Sequence, residues 1–142
     1  SIFDLPLMNV IQGWYLIKSL PDKKITLYGE LEESQNSVKI MPYWEFGKRD
    51  GKYNLVLNQD SFPEINRDVV EAYLDKIKKS SKYFLSINHE HQAHLFSGSE
   101  NRNLVVPNVI EGIGGLERIY RFPFWLRQGY AEEFYKVIAS SE

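Results

Sequence analysis

Apolar and polar positions alternate through much of the first half of the chain, and a period of two predicts strands. "WYLIKSL" runs into the turn "PDKK", where proline presets the backbone angle. "ITLYGEL" puts Ile25, Leu27 and Leu31 on one face and Thr26, Tyr28 and Glu30 on the other. "VKIMPYWEF" follows the polar loop "EESQNS", and the Asp50-Gly51 pair reads as a hairpin turn into "YNLVLN". Together these segments predict an N-terminal β-meander. The period then changes. In "NRDVVEAYLDKIKKS", Val69, Val70, Tyr73, Leu74 and Ile77 recur at helical spacing, which predicts a helix near 66–80. Asn66 stands at its N-cap position, Asp68 in the first turn, and Lys78 and Lys79 in the last.

"KYFLSINHEHQAHLF" predicts a long strand with Leu85, Ile87, His89 and His91 on one face. "LERIYRF" alternates as another strand, and "FPFWLRQG" interrupts the pattern. In "YAEEFYKVIAS", Tyr130, Phe134, Val137 and Ile138 form an apolar stripe that predicts a second helix near 128–140. The expected fold class is α+β: one domain over residues 1–142, with a mostly antiparallel sheet and the two helices packed on one face.

Composition narrows the function classes. A net charge of −2 with 8 Phe, 9 Tyr and 3 Trp describes a foldable chain without long-range attraction for nucleic acid or anionic membrane. No cysteine is present, which excludes disulfides, thiolate metal sites and thiol nucleophiles. A cytoplasmic setting is the expectation that follows.

All three histidines lie within "INHEHQAHLF". On a strand, His89 and His91 point the same way and can share a zinc or iron ion, whereas His94 points to the other face. The string "HEHQAH" resembles the His-x-His-x-Asp-His signature of the metallo-β-lactamase-like hydrolases, which implies metal held by His89, His91 and His94. Ala93 stands at the aspartate position, and no histidine follows His94. The cluster therefore reduces to a candidate pair, to which a carboxylate such as Glu90, Glu100 or Glu111 could add.

"EGIGGLE" lacks the strand-before, helix-after context of a phosphate loop and reads as a turn. "RIYRFPFWLRQGY" interleaves Arg118, Arg121 and Arg127 with aromatics including Trp125, the residue types enriched at interface hot spots. The acidic loop around Glu30, Glu32 and Glu33 offers a charged surface for a basic partner. With no catalytic constellation apparent, the leading expectation is a small protein-binding module. Its concrete form is a bacterial immunity or inhibitor protein that neutralises a toxin or nuclease and needs no cofactor. A metal-dependent enzyme using His89 and His91 is the first alternative. A single-stranded nucleic acid or ligand binder using residues 118–130 is the second.

Overall fold

Pro6 decides the first departure from the expected strands. It stands at the first turn of a helix, where its missing N–H is not needed. In the computed structural model, which describes residues 1–30, 36–90 and 104–138, strand β1 (Ile2–Asp4) leads at once into helix α1 (Pro6–Ser19). "WYLIKSL" is thus helical. Its side chains are apolar almost all round, so neither period stands out and alternation is misleading. The chain divides into two compact units, Ser1–Asp50 and Gly51–Glu142.

In the first unit, β2 (Ile25–Leu27) and β3 (Val38–Pro42) complete a three-stranded sheet of order β1-β3-β2, parallel throughout. Helix α1 packs on these strands. Gly13 permits its approach, because a Cβ there would stand 2.9 Å from Leu27 Cδ2. A short helix α2 (Trp44–Lys48) follows β3 and buries Phe46 beside Phe3. The predicted meander is therefore overturned. Parallel strands need crossovers rather than hairpins, and no hairpin closes at Asp50-Gly51.

The second unit begins with β4 (Tyr53–Gln59) and a 3-10 turn (Phe62–Glu64). Helix α3 (Arg67–Ser80) then forms over the predicted span, with Asn66 as N-cap residue. Val70, Leu74 and Ile77 are fully buried along its inner stripe. Each contributes roughly 1.5–3 kcal/mol of apolar transfer free energy. The chain continues through β5 (Ser81–His89), α4 (Val106–Ile113), β6 (Leu116–Pro123) and β7 (Tyr130–Val137). The sheet order is β4-β5-β7-β6, with β4 parallel to β5 and β7 antiparallel to both of its neighbours.

Two further expectations fail here. The fold is α+β, but it has two sheets, one of them wholly parallel, and four helices among the described residues rather than two on one face of a mostly antiparallel sheet. The predicted helix near 128–140 is β7. Its buried positions are Ala131, Glu133 and Tyr135, a period of two that includes a carboxylate. Burial of a charge hides that period from any reading of apolar spacing. Glu133 tolerates its place because Arg118 and Arg121 on the paired strand β6 donate to it at 3.1 and 2.9 Å. No helix among the described residues is long and apolar enough to cross a membrane.

Candidate active site at the carboxyl ends of β4 and β5

Parallel strands β4 and β5 end side by side, with Gln59 paired to Ile87. The next residue on the first strand is Asp60, a non-glycine with φ 57°, in the left-handed region. Its backbone N–H donates to Ile87 O at 3.0 Å, which ties the turn to β5. Few residues besides glycine adopt this conformation, and aspartate is among those that tolerate it best. The chain then tightens into the 3-10 turn, anchored by buried Phe62 and Pro63. Phe62 stacks on Phe84, with ring centroids 6.1 Å apart. A hydrogen-bond chain supports the turn: Asn88 donates to Asn58 Oδ1 at 3.0 Å, and Asn58 donates to Ser61 Oγ at 2.6 Å.

The turn returns Glu64 to the neighbourhood of Asp60, while β5 delivers His89 at its last position. Ligand atoms of Asp60, Glu64 and His89 all lie within 4.8 Å of one another. β7 closes the third side. His89 pairs in register with Tyr130, and the two rings meet edge to face at 5.7 Å. Tyr130 donates its hydroxyl to Asp60 Oδ1 at 2.6 Å. Arg127, from the β6–β7 loop, donates to Asp60 Oδ2 and lies over the Tyr130 ring, 4.3 Å from its centre. Among the described residues no side-chain hydrogen bond engages the His89 ring.

Electrostatics favour an ionised Asp60. Partial burial is the largest single influence and pushes its pKa up. The hydrogen bonds from Tyr130 and Arg127, with the Arg127 and His89 charges, outweigh burial, and the carboxyl sits below its ordinary range. The same contacts act on the partners. Burial and then the bond to Asp60 raise the Tyr130 phenol, and the bond to Asp60 raises the Arg127 guanidinium.

The residues singled out in the sequence are scattered. His89 is in the cluster; His91 and His94, like Glu32, Glu33 and Glu100, fall outside the described residues. Glu30 accepts the Leu27 N–H at 3.0 Å. Arg118 is paired with Glu133, and Arg121 bridges Glu133 and Glu90. Arg127 holds Asp60, and Trp125 in the same loop is 85% exposed. Sequence reasoning missed Asp60, Glu64 and Tyr130. The available signal was "NQDSFPE", an acid closing a strand at a Ser/Pro turn, with a second acid four residues later.

No family model and no curated protein matches the sequence. The chain is similar to a crystal structure from Sulfolobus solfataricus, provisionally described as a type 11 methyltransferase. The TM-score is 0.54 at 13% identity, covering 100% of this chain and 86% of that one. The two chains share a fold. This overturns the expected immunity or inhibitor protein, which rested on size and absence of motifs. At 13% identity the likeness shows the fold alone.

Proposed function

We propose that the chain works in methyl transfer, with a nucleophilic acceptor held at the carboxyl ends of β4 and β5. One observation carries this reading: in a fold shared with the structure described as a methyltransferase, the imidazole and carboxylates converge where open α/β sheets bind their ligands. Methylation asks for a base near the acceptor, because a hydroxyl or an ammonium group must shed a proton to become a competent nucleophile. His89 offers a ring nitrogen for that proton. Asp60, held ionised, faces the imidazolium that forms and stabilises it. Tyr130 and Arg127 fix the carboxylate so that it need not reorganise during the reaction. Exposed Trp125 and Leu126 lie in the loop that carries Arg127 and give an apolar surface suited to a ring-bearing acceptor.

The methyl donor, when bound, supplies an electrophilic methyl carbon.

The experiment is to incubate the protein with methyl-labelled S-adenosylmethionine and a panel of hydroxyl- and amine-bearing ring compounds. We expect donor binding by calorimetry and label in at least one acceptor. His89→Gln should lower the transfer rate roughly 10²- to 10⁴-fold, the usual worth of a general base. Absence of both donor binding and incorporation overturns the reading.

A further inference from the structure

We propose that Asp60, Glu64 and His89 form a binding site for a first-row divalent cation, zinc or manganese, and that the ion displaces the Arg127 guanidinium from Asp60. The donor set is one imidazole nitrogen and two carboxylates, so two negative charges meet two positive ones. Ligands held at about 2.1 Å by one ion stand about 3.0–3.4 Å apart in octahedral or tetrahedral geometry. The three ligand atoms are already within 4.8 Å of one another. Binding would draw them closer, and Glu64, which is exposed, has room to move. The imidazole selects zinc or manganese over magnesium and calcium, which favour all-oxygen sites. His91, the partner expected from the sequence, is not needed.

Arg127 is the second part of the inference. It already places a positive charge against Asp60 Oδ2. Its side chain is 52% exposed, so release to water costs little. Tyr130 keeps its hold on the other oxygen at 2.6 Å and orients the carboxylate, as outer-shell partners of metal ligands do. Within the methyl-transfer reading, an acceptor hydroxyl bound to the ion would have its O–H proton acidified and released to water, and His89 would serve as ligand in place of base. Cation binding itself stands on the cluster and is independent of that reading.

The experiment titrates the protein with MnCl2, ZnCl2 and, as a contrast, MgCl2 by calorimetry, and follows Mn2+ by electron paramagnetic resonance, all without donor or acceptor. We expect one Mn2+ or Zn2+ per chain, with Mg2+ far weaker. Asp60→Asn and His89→Gln should each weaken binding about tenfold or more. Arg127→Ala should tighten it about threefold to tenfold by removing a competing charge. Circular dichroism confirms that the variants fold. No saturable binding, or affinity unchanged in folded His89→Gln and Asp60→Asn, overturns the site. Failure here leaves His89 as the base, and failure of methyl transfer leaves the metal titration intact, so the two ideas fall separately.

Discussion

Glu133 and Asp60 are both carboxylates held by arginine in the second unit, yet one is sealed and the other open. Glu133 is 1% exposed and accepts from Arg118 and Arg121, which cover it from β6. The enclosure reaches its neighbour: burial first, then Glu133, pushes the Tyr135 phenol far up. Asp60 keeps 30% of its side chain in water, stands in a left-handed backbone conformation, and faces an imidazole. An arginine–carboxylate pair is therefore not one kind of thing. At Glu133 the carboxylate is buried and held by two arginines, which tie β7 to β6. At Asp60 the carboxylate stays part-exposed beside an imidazole.

The largest effect that tests this contrast is on stability. Glu133→Gln should cost about 2 kcal/mol in urea unfolding, below the 3–5 of a fully buried pair because both arginines reach solvent. His89→Gln should stay within about 0.5 kcal/mol of the parent. Equal losses in the two variants would erase the distinction.

The strain at Asp60 comes next. Asp60→Gly and Asp60→Ala remove the same carboxylate, but only alanine pays for the left-handed backbone. The glycine variant should be more stable by about 1 kcal/mol. A difference near zero would mean the backbone relaxes and stores no strain.

Acid titration sharpens the comparison further. The folded pKa of Asp60 lies below its unfolded value, so its contribution is fully present above the unfolded value, near pH 4. It is lost as pH falls through the folded value. Asp60→Asn should flatten that acid limb of the stability curve, and an unchanged limb would show the Tyr130 and Arg127 contacts to be idle. The smallest effect is expected at Trp125→Ala. Stability should move by no more than about 0.5 kcal/mol at so exposed a residue, while KM for a ring-bearing acceptor rises. An unchanged KM removes Trp125 from acceptor binding.

The parts of this molecule legible in the sequence are those where local pattern and tertiary demand agree. Helix α3 was readable because Val70, Leu74 and Ile77 repeat at helical spacing and are all buried. Strands β5 and β6 form within the predicted segments, although β5 also buries Phe84, Ser86 and Asn88, on the face opposite Leu85, Ile87 and His89. Helix α1 was not: Leu7, Val10, Trp14 and Ile17 recur at helical spacing, but the segment 14–20 taken alone is too short and too apolar to show it. Strand β7 was not, because its inner face includes a glutamate whose neutralising partners come from another strand. Of the site, His89 could be singled out by its rarity and Arg127 by its place in the arginine–aromatic segment. Asp60, Glu64 and Tyr130 are ordinary residue types, and their convergence depends on strand order, which no local pattern encodes.

Tyr130 and Arg127 reach Asp60 across sequence separations of 70 and 67 residues. Contacts between such distant positions carry the loop-closure cost that slows folding, and they form after local helices and neighbouring strands. The site is then among the last features to assemble and among the first to open. Amide exchange at Asp60, whose N–H bonds to Ile87 O, would report that opening. A chain still emerging from the ribosome, with α3 already wound, would carry Asp60 with nothing yet to steady its carboxylate.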